Sequence, residues 1–311
     1  MASSVSSRLR QYFGVRRDFA ELLADGFDQV GVLQGTVWYV DAVDGRDGND
    51  GLSWERPLLT MNEAFQTDRV VSGDTIVFRG KIKEQLSTPA QVFDVTVVSA
   101  ATRPRHADVT PVDPDGRTHG ATWTTPDSAT ATTPLLVVRN QGWRFINVLF
   151  DGPADDACVE LFSDAGAGND ERDGSHASFY GCKFANGQDG IRDVGGTTNV
   201  LVSNCQFNAL TNAIITISTG VRVPQYWTIE GNKFINNTNH IRISSNYGVI
   251  GPDNIFGKFT TTSIKTTEVS SQGGDNVIFG NALGGTYSNA GGYTGASSDQ
   301  WFNDTIASDP A

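Results

Sequence analysis

The stretch DGIRDVGG holds Asp189, Arg192 and Asp193 close together, and His240 and Arg242 follow further along the chain. Two carboxylates, a guanidinium and an imidazole are groups that polysaccharide cleavage uses. A hydrolase needs a carboxyl pair about 5–9.5 Å apart. A lyase needs a base, often Arg or Lys, beside acids that bind calcium. Asp155 and Asp156 in ADDA are adjacent acids, but adjacent strand residues point to opposite faces. The sequence therefore offers no firm carboxylate pair. The expectation is no catalytic residue, with Asp189, Arg192 and Asp193 as the alternative and salt bridging across coils as their ordinary role. Asp44, Asp47, Asn49 and Asp50 raise a calcium question. Their spacing fails the calcium loop, which needs oxygen ligands at alternate positions and a distal Glu. A hydrogen-bonded turn is expected there, with no metal and no cofactor.

The elements around these residues repeat. VSNCQFNALTNAIITIS and IEGNKFINNTNHIRISS align with Phe207 over Phe234 and Ile214 over Ile241. With the aromatic as anchor, copies stand at Phe150, Phe184, Phe207, Phe234, Phe256 and Leu283, spaced 34, 23, 27, 22 and 27 residues apart. Three residues before each anchor stand Asn147, Gly181, Asn204, Gly231, Asp253 and Gly280, all residue types that tolerate a left-handed turn. Two before stand Val148, Cys182, Cys205, Asn232, Asn254 and Asn281. Five before stand Phe145, Phe179, Val202, Ile229, Gly251 and Ile278, apolar with one exception.

Alternating apolar residues rich in Val, Ile, Thr and Phe argue for strands rather than helices. Short strands joined by Asn/Gly turns at this period build an all-β solenoid, a right-handed parallel β-helix. Coils then stack ~4.8 Å apart, so each column becomes a ladder. The Phe column is expected inward, with Asn232, Asn254 and Asn281 as a side-chain ladder. Cys182 and Cys205 are expected to be free thiols packed as small apolar groups. The inward parity of the strand after each Phe stays open, because the alignment also sets Ile215 over Arg242 and Thr216 over Ile243.

The segment TVWYVDAVDGRDGNDGLSWERPLLTMNEAF, followed by SGDTIVFRGKIKEQ, carries a resemblance. Tyr39–Asp41, Gly48–Gly51, Pro57, Thr60, Ala64 and Gly73–Ile76 match the first coil of the pectate-lyase-like superfold. The Tyr usual before the Glu is missing, and GKIKE stands in its place. The resemblance implies a β-helix over roughly residues 36–285. Its architecture is similar to that of phage spike and decoration proteins. The motifs of inverting pectinases (NTD, DD in a Gly context and RIK) are missing. The superfold hosts lyases, hydrolases, adhesins and viral spikes, so it does not by itself name a function.

The 311-residue chain has net charge −12 and a pI of about 4.7, which argues against nucleic-acid binding. No run of 18 apolar residues predicts a membrane span. Three cysteines and no visible signal peptide fit synthesis in a reducing compartment. Residues 1–35 read as a helical arm. Arg8, Arg10, Arg16 and Arg17, with Phe13, make it the one basic stretch of an acidic chain. It is read as a device for docking on an acidic partner, a viral capsid or tail protein, with a solvated cap on the solenoid as the other option. Residues 164–176 form an acidic insertion. Residues 286–311 form a Gly/Ser-rich tail whose Tyr287, Tyr293, Trp301 and Phe302 are expected to pack on the last coil or on a neighbouring subunit.

Three functions stay open. The first is a structural surface protein of a bacteriophage virion, made in the host cytoplasm: a head decoration, fibre or tailspike-like spike, trimeric, with weak glycan binding. The second is a polysaccharide-degrading lyase or hydrolase. The third is a secreted adhesin or carbohydrate-binding solenoid.

Overall fold

The structure, a computed structural model, describes residues 35–66, 68–100, 121–127, 132–162, 173–216, 223–257, 259–265, 275–283, 293–294, 300–302 and 305–306. The N-terminal arm with Arg8, Arg10, Phe13, Arg16 and Arg17, most of the 164–176 insertion, and Tyr287 lie outside the described residues.

Three sheets of ten, nine and eight strands wind side by side, and every pairing is parallel. From Arg144–Ile146 onward each strand of the first sheet bonds to the strand one full coil later: Ser178–Tyr180, Leu201–Ser203, Thr228–Glu230, Val249–Ile250, Val277–Phe279 and Gln300–Phe302. The fold is a right-handed parallel β-helix.

The repeat columns explain its shape. Asn147, Gly181, Asn204, Gly231, Asp253 and Gly280 all have positive φ, between 54° and 65°. They turn the chain from the first sheet into the second. The Phe anchors then point inward. Ring centroids are 5.2 Å apart for Phe150–Phe184, 4.7 Å for Phe184–Phe207, 5.0 Å for Phe207–Phe234 and 4.8 Å for Phe234–Phe256. All these rings are buried and lie within 13° of parallel. Trp123 begins the stack a coil earlier, opposite Phe150.

The column two before each anchor is also inward, and it is a hydrogen-bond ladder. Asn254 Nδ2 donates to Asn281 Oδ1 at 2.9 Å and Asn232 Nδ2 to Asn254 Oδ1 at 3.1 Å. Each Asn amide also donates to a first-sheet carbonyl one coil earlier: Asn232 to Val202, Asn254 to Ile229, Asn281 to Ile250. Cys182 and Cys205 are free and buried, and their thiols reach the corresponding carbonyls of Phe145 and Phe179 at 3.3 and 3.4 Å. They are packing residues and donors at once.

Three sequence expectations need correction. Gly251 is not in the five-before column: Ile250 pairs with Ile229 and Ile278, and the corner between Ile250 and Phe256 holds one extra residue. The column one before each anchor, Leu149, Lys183, Gln206, Lys233, Ile255 and Ala282, is mixed and mostly suits an outside position, yet Lys183 is only 4 % exposed. The ladders do not stop at residue 285. Tyr293–Thr294, Gln300–Phe302 and Thr305–Ile306 each extend one of the three sheets, so the change of composition does not end the coil.

The resembling N-terminal motif closes the first coils. Asp74 accepts the Thr36 amide, the Trp38 indole and the Val71 amide. Glu84 accepts the amides of Met61 and Asn62 at the start of a single helical turn, Met61–Ala64, which Thr60 caps. Phe65, just after that turn, packs on Trp123 and Trp143 inside the solenoid. The acidic turn is a hydrogen-bonded one. Asp47 accepts from Leu59 and Thr60, and Asp50 from Leu52. The Arg69 guanidinium lies against the carbonyls of Asp47, Asn49 and Asp50 and pairs with Glu63.

Candidate functional site

The third sheet positions the charged candidates. In four successive strands two consecutive residues are buried: Cys158 and Val159, Gly190 and Ile191, Ala213 and Ile214, His240 and Ile241. A Cβ on Gly190 would meet Ala213 O at 2.5 Å and the Phe207 ring at 2.9 Å, so this residue faces the core. Two inward residues in a row break the strict alternation of a strand. Residues three apart, such as Asp189 and Arg192, therefore share the outer face. This settles the parity the alignment left open: Ile191, Ile214, Ile241 and Ile264 pair inward, while Arg192, Ile215 and Arg242 pair outward.

Arg192 is the centre of the outer cluster. Its guanidinium bonds Glu160 Oε2 through Nη2 at 2.7 Å and through Nε at 3.1 Å. It also bonds Asp156 and lies 3.5 Å from Asp189 Oδ2. Asp189 Oδ1 accepts the Asn212 amide at 2.7 Å, and Asn212 Oδ1 accepts Asn239 at 2.8 Å and Arg242 at 3.2 Å. Burial pushes the Asp189 carboxyl above the usual carboxylate range, against the opposing pull of Asn212 and Arg192. Among the described residues no group of His, Cys, Asp and Glu has the arrangement to hold a metal ion.

Asp193 and His240 do not join this cluster. Asp193 is fully buried at the inner end of its strand, where its carboxylate accepts the backbone amides of Gly195 and Thr197. Burial pushes its pKa up to about 7. His240 lies in the core beside Phe234 and Phe256, 5.6 and 5.7 Å away. Its Nε2–H donates to Gly257 O and its Nδ1 accepts from Asn237. Burial lowers its pKa to about 4, so the ring is neutral near pH 7. The structure thus brings Asp189, Arg192 and Arg242 to one face and turns Asp193 and His240 away from it.

The sequence reading missed Asp156 and Glu160 as partners of Arg192. Their signal was register: Glu160 stands in the Arg192 column one coil earlier. It also missed an exposed, stacked pair, Tyr226 and Tyr247, at the corner leading into the first sheet. Of the tail aromatics, Tyr293 pairs opposite Ile264, and Trp301 and Phe302 opposite Ile278 and Phe279.

No family model matches the chain, and no curated protein matches its sequence. Solved structures do resemble it. A pectin methylesterase from Aspergillus niger is 14% identical with a TM-score of 0.48, over 90% of this chain and 93% of that one. An alginate lyase from Paenibacillus sp. is 12% identical with a TM-score of 0.44, over 78% and 94%. A lacto-N-biosidase from Eubacterium ramulus is 10% identical with a TM-score of 0.47, over 86% of this chain and 59% of its own length. These neighbours are polysaccharide- and glycan-acting proteins by name, and what this chain shares with them is the parallel β-helix.

Proposed function

We propose that the chain engages a carbohydrate polymer along the outside of its β-helix and degrades it, as a hydrolase or lyase, at the Arg192 cluster. The observation that supports this reading is the convergence of Asp156, Glu160 and Asp189 on one guanidinium on the outer face of the third sheet. Asp189 keeps its proton to higher pH than an ordinary carboxyl, which suits a proton donor. Glu160, held in an ion pair with Arg192, suits the complementary charged role. Capsular, cell-wall and uronate-rich polysaccharides incubated with the protein should release reducing ends or unsaturated products. Asp189→Asn should abolish that release. No product from any of them counts against degradation.

A second reading is a bacteriophage surface protein that binds glycan without cutting it. Two observations favour it: Asp193 and His240 face the core, and four arginines, Arg8, Arg10, Arg16 and Arg17, stand close together near the N-terminus, with Asp18 the only acidic residue among the first 20. In this reading the arm around Arg8, Arg10, Phe13, Arg16 and Arg17 docks on a capsid or tail protein. The protein is a trimer on the virion surface, with Tyr287, Tyr293, Trp301 and Phe302 at subunit contacts. Deleting residues 1–30 should keep the β-sheet circular dichroism and abolish incorporation into particles. Loss of fold along with attachment counts against the arm as a docking device.

A further inference from the structure

Three successive strands of the third sheet, Asp189–Asp193, Asn212–Thr216 and Asn237–Arg242, carry one hydrogen-bond chain along their outer face. Arg242 Nη1 lies 3.2 Å from Asn212 Oδ1, and Asn239 Nδ2 lies 2.8 Å from the same oxygen. At its other end the Asn212 side chain meets Asp189, with Nδ2 2.7 Å from Oδ1. Asp189, Asn212 and Asn239 share one register column, while Arg242 stands two coils beyond Arg192 in the next outward column. Asp189, Asn212 and Asn239 are buried although they face outward, so each depends on the others for its hydrogen bonds.

The chain has a direction. A guanidinium only donates, so the Asn212 atom that meets Arg242 is the carbonyl oxygen. The Asn239 amide donates to that oxygen as well. The other arm of the Asn212 amide is then its NH2 group, which donates to Asp189 Oδ1. Oδ1 takes the carbonyl role, and a proton held by this carboxyl sits on Oδ2.

The groups that face Asp189 come from three sides. Asp156 and Glu160, from the preceding strand and its corner, reach it through Arg192. Arg192, on its own strand, lies 3.5 Å from Oδ2. On the following strands stand Asn212 and, behind it, Arg242. Burial and Asp156 oppose ionisation of Asp189, whereas Asn212 and Arg192 favour it.

We propose that Asn212 is a positioning residue that couples Arg242 to Asp189, fixing which carboxyl oxygen carries the proton and setting the pH at which the group ionises. Its part in cleavage rests on the reading of Asp189 as proton donor; the coupling itself does not.

The test follows the Asp189 carboxyl across pH by carbon-13 NMR of the full chain, with the signal assigned by its loss in Asp189→Asn. Asn212→Ala installs the residue type that Ala157 has in the same column, and it should fold. It should move the titration midpoint up, because the ionised form loses a donor. Arg242→Met should move it up by less. Added to Asn212→Ala, Arg242→Met should change nothing further, since its path through the amide is gone. Should Asn212→Ala not fold, Asn212→Val, apolar and strand-forming, takes its place. An unmoved midpoint in either folded single variant, or shifts that add in the double variant, would overturn the coupling. Where polysaccharide products are released, the high-pH limb of the rate should move up with the midpoint. Shifted midpoints without any product would uphold the coupling and count against cleavage alone; product with unmoved midpoints would do the reverse.

Discussion

Cys205 and Asn232 make the same hydrogen bond one coil apart. The Cys205 thiol lies 3.4 Å from Phe179 O and the Asn232 amide 2.9 Å from Val202 O, while Asn232 Oδ1 accepts from the Cys205 amide at 2.8 Å. The two residue types therefore share a bond to a first-sheet carbonyl that the side chain of Val148, in the same column, cannot make. Asn254→Ala removes the acceptor of the Asn232 amide and the donor to Ile229 O and Asn281. It should cost about 3 kcal/mol, since buried groups lose partners they cannot replace. Cys205→Asn should cost less than about 1 kcal/mol. Urea unfolding of the two variants would reverse this account if Cys205→Asn were the more damaging.

The aromatic column predicts a second cost. Phe207 is fully buried between Phe184 and Phe234. Phe207→Ala should lose roughly 3–5 kcal/mol. Phe207→Leu should lose less, because a Leu, Leu283, takes the same register position one coil after Phe256. Equal losses in the two, measured by denaturant midpoint, would show that the site collapses around either side chain.

Two buried groups pull stability in opposite directions with pH. His240 has its pKa lowered to about 4, against ~6.5 unfolded. As pH falls from ~6.5 towards 4 the unfolded chain takes the proton first, so this group's effect is to lower stability with acid, by roughly 3 kcal/mol. Asp193 has its pKa raised to about 7, against ~3.9 unfolded. As pH rises from ~4 to 7 the unfolded chain gives up its proton first, so this group lowers stability with base, by roughly 4 kcal/mol. The sum should be nearly flat across that window. Asp193→Asn should leave stability rising from pH 4 to 6.5, and His240→Ala should leave it falling. Parallel pH curves in the two variants would refute the assignment.

The thiols should be silent in the folded protein. Cys158, Cys182 and Cys205 are buried, and burial pushes the Cys158 thiol up to about 12 and Cys205 well above its ordinary value. A thiol-exchange reagent at pH 8 should label none of them before denaturation and all three after it. Labelling of native protein at a rate faster than global unfolding would show that the coil opens locally at these rungs.

The columns could be read in the sequence because a solenoid repeats its local chemistry. The corner between the first and second sheets takes Asn, Gly or Asp, and the anchor three residues after it is Phe or Leu. Both recur wherever the chain returns. The third sheet was less legible because its strands place two residues inward in a row. Gly190, Ala213 and His240 share that extra position, and no common residue type marks it. For the same reason Asp193 looked like a neighbour of Arg192 and proved to face the other way. Glu160 was invisible for a different reason. Its link to Arg192 depends on pairing between coils with the 164–176 insertion between them, and the insertion hides the register.

The register that pairs Phe207 with Phe234 also makes length a separable property of this molecule. The stretch Cys205–Gly231 begins and ends at equivalent points of the coil, because Gln206 sits beside Lys233 and Leu201 beside Thr228. A gene carrying that stretch twice would encode a protein one storey taller, by ~4.8 Å, with every existing neighbour kept. Reach can thus be tuned by copying, while the residues that meet a ligand are altered one at a time.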